Sequence, residues 1–176
     1  MTIITDVIVK TLKHMKHLTL LRHAKSSWKN TSLSDFNRPL NKRGKRDAPY
    51  IAEKLKQRNI GVEIIVSSSA IRTLETANIF SNVLGLENDI IKSDDLYAAS
   101  GEVILKTINN LNEVYTNVLV VSHNPGITNI ANQLSDFFIE NIPTTGIIAF
   151  TYDGNWKDLK FKCCKFLFYD TPKMVF

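Results

Sequence analysis

Hydrophobic and polar positions along the first 135 residues fall into two alternating kinds of segment. Short apolar runs that are typical of buried strands occur at residues 18–21, 62–66, 90–91 and 118–122. Longer segments with apolar residues at helical spacing occur at residues 42–58, 70–84, 101–115 and 127–135. Strands that alternate with helices in this way favour a parallel sheet with helices on both faces.

The last part of the chain predicts a β-hairpin. Residues 146–152 alternate weakly between apolar and polar positions, the turn signal Asp153-Gly154-Asn155 follows, and residues 160–168 supply the partner strand. We therefore predict an α/β fold, a three-layer α/β/α sandwich whose mostly parallel sheet ends in a C-terminal β-hairpin. We predict a single domain over residues 16–168, an N-terminal extension over residues 1–15 and a tail over residues 169–176.

Composition narrows the class of protein. The chain has 176 residues, 44% of them hydrophobic and 22% charged, which suits one domain with a sizeable core. A net charge of +5 favours anionic substrates. A nucleic acid partner is not expected, because the basic residues form no long run and no zinc-finger spacing occurs. A membrane partner is not expected either, because residues 2–9 are too short to span a bilayer. Two adjacent cysteines, Cys163 and Cys164, make no disulfide framework, which predicts a reducing, cytoplasmic location.

Three of the predicted strands are followed by residues that can handle phosphate. Arg22 and His23 follow the first strand, Arg72 follows the second in the first turn of its helix, and His123 follows the strand at 118–122. Because ligands bind outside the carboxyl ends of parallel strands, we expect these four side chains to converge on one pocket. A cation in the first turn of a helix opposes the helix dipole, and such local conflicts tend to mark function.

Several chemistries could be built from two histidines and two arginines. A zinc site is disfavoured, because it needs three or four ligands and the guanidinium groups would repel the metal. A serine hydrolase is disfavoured, because the chain lacks a Gly-x-Ser-x-Gly elbow. A phosphate dianion fits better, since guanidinium groups neutralise it while one imidazole attacks phosphorus and the other donates a hydrogen bond. For Arg22 and His23 taken alone, a surface arginine beside a capped histidine remains the simpler alternative.

The segments around these residues resemble the histidine phosphatase superfamily. Residues 20–26 (LLRHAKS) resemble its Arg-His-Gly opening motif, residues 67–77 resemble the signature that carries the second arginine, and residues 121–126 resemble the segment with the second histidine. The likeness to SixA-type phosphohistidine phosphatases is narrower and depends on residues 35–44 (DFNRPLNKRG), 96–100 and 142–146. The resemblance runs from residue 16 to residue 168.

The resemblance implies a phosphatase that needs no metal or other cofactor. His23 would be the nucleophile and form a transient phosphohistidine, while Arg22, Arg72 and His123 would hold the phosphoryl oxygens. Water would then release phosphate.

The loop at residues 24–38 adds two weaker candidates for substrate binding. Arg38 is a possible further contact, because this loop leaves the carboxyl end of the first strand. Ser26 matches a small hydroxyl residue common in the family, and it either contacts substrate or fixes the loop. Trp28 fits packing as well as substrate contact.

Two departures from the family pattern bear on the substrate. Ala24 replaces the usual glycine, which costs little unless its φ is positive. Sugar-phosphate members carry a general acid near the position of Tyr97, and Glu102 further along suits a helix N-terminus instead. An alkoxide leaving group needs a proton donor, whereas the imidazole of a phosphohistidine can already be protonated. The pattern therefore favours phosphohistidine on a protein.

Two alternatives remain open. One is a phosphatase of the same superfamily that acts on small phosphate monoesters, so that the partner is a phosphorylated metabolite and not a phosphorylated protein. The other is a phosphate-binding module without catalytic activity.

Overall fold

A six-stranded sheet forms the centre of the computed structural model, which describes residues 15–86 and 90–173. The strands are β1 (Met15–Arg22), β2 (Ile64–Ser68), β3 (Ile90–Ser93), β4 (Asn117–Ser122), β5 (Ile147–Asp153) and β6 (Lys165–Asp170). The helices are α1 (Lys42–Gln57), α2 (Ile71–Leu84), α3 (Gly101–Asn109) and α4 (Gly126–Leu134). Short 3-10 turns lie at Asp35–Asn37, Asp94–Leu96 and Trp156–Asp158.

The sheet is mostly parallel, with strand order β3-β2-β4-β1-β5-β6. β1, β2, β3 and β4 pair in parallel, while β5 pairs antiparallel with both β1 and β6. The predicted fold class is therefore confirmed, including the antiparallel C-terminal pair.

Alternate residues of the buried strands face two separate hydrophobic layers. In β4, Val118 and Val120 join a cluster that includes residues of α3 and α4, while Leu119 and Val121 join a second cluster that includes residues of α1 and α2. This division follows from the two-residue period of a strand, which sends successive side chains to opposite faces. Strands covered on both faces are apolar throughout, which explains the unbroken runs in the sequence.

Two predicted boundaries differ from the structure by five residues or more. The helix predicted over 101–115 ends at Asn109, whose side chain donates hydrogen bonds to the carbonyls of Lys157 and Leu159. The last strand begins at residue 165 and not at 160, because the 3-10 turn at Trp156–Asp158 and a loop precede it.

The predicted tail at 169–176 is wrong for residues 169 and 170, which belong to β6. Asp170 is buried there and accepts hydrogen bonds from Arg58 at 2.9 to 3.2 Å. Because Arg58 directly follows α1, these bonds connect the end of β6 to that helix. Met15 belongs to β1, whereas the rest of the predicted extension, residues 1–14, lies outside the described residues.

The start of α1 anchors the loop at residues 24–38. Asn41 caps the helix as predicted, its side chain accepting from the Gly44 N–H at 2.9 Å, and its own N–H donates to the Lys25 carbonyl at 2.9 Å. A Cβ on Gly44 would collide with that same carbonyl, so only glycine lets the helix approach this closely. The loop therefore leaves β1 along a defined path. Within the described ranges, no helix is long and apolar enough to cross a membrane.

Candidate active site

The two histidines come together because β1 and β4 are parallel neighbours. Arg22 pairs in register with Ser122, so His23 and His123 occupy matching positions just beyond the two strands. The His23 N–H donates to the Ser122 carbonyl at 3.1 Å, and the two imidazole ring centroids lie 5.1 Å apart. The two histidines thus lie at one edge of the sheet, as the sequence predicted.

Arg72 bridges the two imidazoles. It lies in the first turn of α2, which follows β2, the strand on the other side of β4. Its side chain is buried, with the Nε 3.3 Å from His23 Nε2 and an Nη2 3.2 Å from His123 Nδ1. A cation that opposes the helix dipole therefore contacts both imidazoles.

The hydrogen bonds of the two imidazoles define their proton positions. His23 Nδ1 lies 2.8 Å from the Ala24 carbonyl, which can only accept, so Nδ1 carries the proton and Nε2 keeps a lone pair. His123 Nε2 lies 2.9 Å from the Ser68 hydroxyl, and its Nδ1 faces the Arg72 donor. His23 therefore presents an unprotonated nitrogen to the centre of the cluster.

Both imidazoles are held neutral. Burial, reinforced by the charges of His123, Arg72 and Arg22, lowers the pKa of His23 to about 3 against the opposing effect of the Ala24 carbonyl. Burial and the charge of Arg72 lower the pKa of His123 to about 3, although the Asp35 carboxylate opposes this shift. Neutral imidazole is the form that can act as a nucleophile.

Ala24 takes the family's glycine position without strain. Among the described residues, a positive φ occurs outside glycine at Asn59, Ala98, Thr145 and Lys162, and so not at Ala24. The Ala24 N–H donates to the Thr76 hydroxyl at 3.0 Å, and that hydroxyl donates to the Arg72 carbonyl at 2.6 Å. Thr76, which the sequence analysis did not single out, thus ties the residue after His23 to the helix that carries Arg72.

Arg22, the last residue of β1, is bonded to the segment at residues 142–146. Its Nη1 donates to the Ile142 carbonyl at 2.7 Å, and the Thr145 N–H donates to the carbonyls of Arg22 and His23 at 3.0 and 3.2 Å. Its buried Nε has no hydrogen-bond partner among the described residues. The charge of Arg22 also lowers the pKa of both histidines, although by less than burial does.

Asp35 joins the site, although the sequence analysis gave it no role beyond its place in the SixA-like segment at residues 35–44. One carboxylate oxygen accepts from Arg38 Nε and Nη2 at 3.0 and 2.6 Å, and the other accepts from Arg72 Nη2 and the Tyr97 hydroxyl, both at 2.9 Å. Burial raises the pKa of Asp35, but hydrogen bonds from Arg38 and Tyr97 and the charges of the two arginines outweigh it and hold the pKa at about 2. No local signal in the sequence marked Asp35, because two of its partners, Arg72 and Tyr97, come from distant segments of the chain.

Ser26 and Arg38 are linked to the imidazoles through Asp35, which contacts Arg72. Arg38 donates to the Ser26 hydroxyl at 2.8 Å, and its guanidinium lies 3.5 Å from the ring centroid of Trp28, whose side chain is 68% exposed. Both Ser26 and Arg38 are buried. In this structure Ser26 fixes Arg38, and Arg38 fixes Asp35; direct contact of either with substrate stays a prediction.

Sequence comparison identifies the family of this site. The sequence profile described as the histidine phosphatase superfamily (branch 1) matches residues 18–98. A chloroplast protein of Arabidopsis thaliana, itself uncharacterised, is 30% identical over 152 residues, which cover 81% of this chain and 70% of the relative. The chain belongs to the histidine phosphatase superfamily.

Solved structures share the fold of this histidine phosphatase over most of its length. A protein of Agrobacterium tumefaciens with the provisional name phosphohistidine phosphatase SixA is 26% identical with a TM-score of 0.77, over 89% of this chain and 98% of that one. A mycobacterial glucosyl-3-phosphoglycerate phosphatase is 14% identical with a TM-score of 0.59, over 86% and 97% of the two chains. The fold is therefore similar to that of phosphatases named for different substrates.

Tyr97, near the position at which the resemblance places the general acid of sugar-phosphate members, is engaged with Asp35. The Tyr97 hydroxyl donates to Asp35, and its ring lies edge-on to His123 with centroids 5.6 Å apart. Burial and the bonded Asp35 carboxylate raise the pKa of Tyr97, so the phenol holds its proton. Glu102 is exposed in the first turn of α3, which agrees with the predicted role at a helix N-terminus.

Proposed function

We propose that this histidine phosphatase hydrolyses phosphohistidine on proteins through a covalent phosphohistidine on its own His23. The observation that carries the proposal is the contact of a neutral imidazole lone pair, His23 Nε2, with the buried guanidinium of Arg72 at 3.3 Å. A nucleophile and an anion-binding group are thereby directed at the same point in space.

In the first step, His23 Nε2 attacks phosphorus in line and the bond to the leaving group breaks. Arg72 and Arg22 hold the phosphoryl oxygens, and His123 donates a further hydrogen bond. The Ser68 hydroxyl can donate as well as accept, so it can turn to donate to His123 Nε2 while Nδ1 carries the proton toward the phosphoryl group. The guanidinium groups of Arg72 and Arg22 stabilise the negative charge that develops on the phosphoryl oxygens.

In the second step, water attacks the phosphoryl group on His23 and the P–N bond breaks with its electron pair returning to Nε2. Both protons of the water stay on the departing phosphate, and the neutral imidazole is restored. The Ala24 carbonyl keeps the Nδ1 proton in place throughout, because it can only accept. Guanidinium groups supply the positive charge in both steps, so the proposed reaction uses no metal ion.

The acid–base groups of the site support one kind of leaving group over another. Asp35 is ionised and Tyr97 holds its proton, so neither side chain can readily protonate an alkoxide. An imidazole that already carries a proton leaves as a neutral molecule. This supports phosphohistidine over a sugar phosphate. The likeness in fold to the mycobacterial glucosyl-3-phosphoglycerate phosphatase keeps a small monoester as the second candidate.

The test combines trapping with a substrate panel. A histidine-phosphorylated protein labelled with ³²P is mixed with the enzyme and quenched in alkali, in which phosphohistidine survives. Label is expected on the wild type and on His17→Gln. The latter is a control for the loss of a histidine elsewhere in β1, because His17 Nδ1 lies 2.8 Å from Asn117 Oδ1. No label is expected on His23→Ala.

Turnover is then compared between the phosphorylated protein, phosphoramidate and several sugar phosphates. Faster hydrolysis of the phosphorylated protein supports the proposal. A preference for sugar phosphates would favour the second candidate, and phosphate binding without label or turnover would indicate a binding module.

A further inference from the structure

Asp35 presents a problem for any phosphatase mechanism. Its carboxylate lies 2.9 Å from Arg72 Nη2, the group that contacts His123 and would hold phosphoryl oxygens. Its side chain is 45% exposed, whereas the Arg72 side chain beneath it is 6% exposed. A negative charge therefore lies directly beside the buried cation and closer to solvent than the cation. A phosphate dianion next to it is repelled.

The chemistry of transfer between two imidazoles suggests why a carboxylate is tolerated there. A protonated phosphohistidine carries the phosphoryl group on one ring nitrogen and a proton on the other. His23 Nε2 donates its lone pair to phosphorus, and the P–N bond of the substrate breaks with its electron pair returning to the substrate ring. The substrate leaves as neutral imidazole that keeps its proton, and His23, still protonated at Nδ1, becomes the phosphorylated cation. Protons and charge balance with no external acid.

The two imidazoles in this transfer are chemically equivalent, so each needs an acceptor for the N–H opposite its reacting nitrogen. On the enzyme side the Ala24 carbonyl takes this role for His23, at 2.8 Å. The corresponding acceptor for the substrate must lie at the solvent side of the cluster. Asp35 is a carboxylate at that position, held by Arg38 and Tyr97 as well as by Arg72.

We propose that Asp35 is a specificity residue of the site, whose carboxylate accepts a hydrogen bond from the distal N–H of the substrate imidazole and thereby selects protonated phosphohistidine over phosphate monoesters. The inference rests on the proposed function.

The hydrogen bonds of Asp35 allow this exchange. A carboxylate has about four lone-pair positions, and here the two arginines and Tyr97 fill them. When Arg72 turns its Nη2 to a phosphoryl oxygen, one position on the second carboxylate oxygen becomes free for the substrate N–H. Arg38 keeps both of its bonds to the first oxygen, so the carboxylate stays in place.

Charge reinforces the selection. With its pKa held at about 2, Asp35 is an anion at neutral pH. It attracts a cationic imidazole and repels a substrate whose charge is only negative. It also cannot give a proton to an alkoxide. A sugar or aryl phosphate gains nothing from Asp35 and is disfavoured by its charge.

The experiment compares Asp35→Asn with the wild type on two substrates, a histidine-phosphorylated protein and p-nitrophenyl phosphate. Loss of a charge-assisted hydrogen bond should lower kcat/KM for the phosphorylated protein about tenfold or more. For p-nitrophenyl phosphate, kcat/KM should rise, because the substitution removes the charge that repels a phosphate monoester. Asp35→Glu should keep the order of preference. Asp136→Asn, which removes a fully exposed carboxylate paired with Lys162, is the matched control and should match the wild type on both substrates.

An equal fall on both substrates would overturn the proposal, because it would show that Asp35 only positions Arg72. No change on either substrate would also overturn it. A wild type that hydrolyses p-nitrophenyl phosphate but not the phosphorylated protein would instead contradict the proposed function, so the two failures are distinguishable.

A measurement on the wild type alone covers the case in which Asp35→Asn does not fold. Phosphoimidazole has a distal nitrogen that can carry a proton, whereas its distal N-methyl derivative is permanently cationic and has no N–H. The enzyme should accelerate hydrolysis of phosphoimidazole more than that of the methyl derivative, each relative to its uncatalysed rate. Equal acceleration of both would overturn the proposal.

Discussion

Arg72 is the side chain on which the proposed chemistry depends most directly. It makes four polar contacts, to His23 Nε2 at 3.3 Å, to His123 Nδ1 at 3.2 Å, and to the Asp35 carbonyl and carboxylate at 2.5 and 2.9 Å. In the proposed transition state the contacts toward the imidazoles become contacts to phosphoryl oxygens. By analogy with a lost oxyanion-hole donor, Arg72→Ala should cost about 2.7–4 kcal/mol of transition-state stabilisation and lower kcat by roughly two to three orders of magnitude.

Arg72→Lys sharpens this prediction, because it keeps the charge and loses the planar fork. A lysine ammonium is a point charge that cannot bridge both imidazoles and Asp35 at once. Its kcat should therefore lie between that of the wild type and that of Arg72→Ala. Steady-state hydrolysis of phosphoramidate measures kcat and KM separately, and circular dichroism with thermal unfolding verifies the fold. An Arg72→Ala protein that is folded and retains more than about a tenth of the wild-type kcat would refute the reasoning.

Three further predictions concern pH, metal and stability. The two site histidines have pKa values of about 3, against 6.5 for an unperturbed histidine. The unfolded chain therefore binds protons between these values that the native protein does not, and the free energy of unfolding should fall as pH is lowered through this interval, by at most about 1.4 kcal/mol per pH unit for each histidine. Urea unfolding should show a shallower dependence once His23 and His123 are both changed to Gln, and an unaltered slope would count against the assignment. Dialysis against EDTA should leave phosphatase activity unchanged, because the proposed reaction draws its positive charge from arginine; activity lost to EDTA and restored by a divalent metal would contradict this. Asp170→Asn should lower Tm by about 2–4 °C, since it removes the partly buried pair with Arg58 that ties β6 to α1. The same change at the exposed Asp136 should have no measurable effect on Tm, and equal effects would show that the pair contributes nothing specific.

The strands, helices and principal site residues could be predicted from local signals. Continuous apolar runs predicted β1, β2 and β4, because strands buried on both faces carry few polar residues. The residues at the carboxyl ends of β1 and β4, which are Arg22, His23 and His123, could be placed at one sheet edge from the parallel arrangement alone. Where the sequence has no period, as in residues 24–38 and 153–164, the predictions lost detail.

The contacts that govern the chemistry required the tertiary structure. Nothing local distinguishes Asp35 from other acidic loop residues, and it becomes part of the site because Arg38, Arg72 and Tyr97 arrive from three separate segments of the chain. The proton position on His23 likewise depends on how the backbone turns at Ala24.

The order of the elements and the groups present at the sheet edge could therefore be deduced from the amino-acid sequence, since both follow from hydrophobic periodicity and strand direction. Which atoms of those groups face one another, and which carboxylate joins them, emerged from the folded protein, because hydrogen-bond geometry depends on residues far apart in the chain.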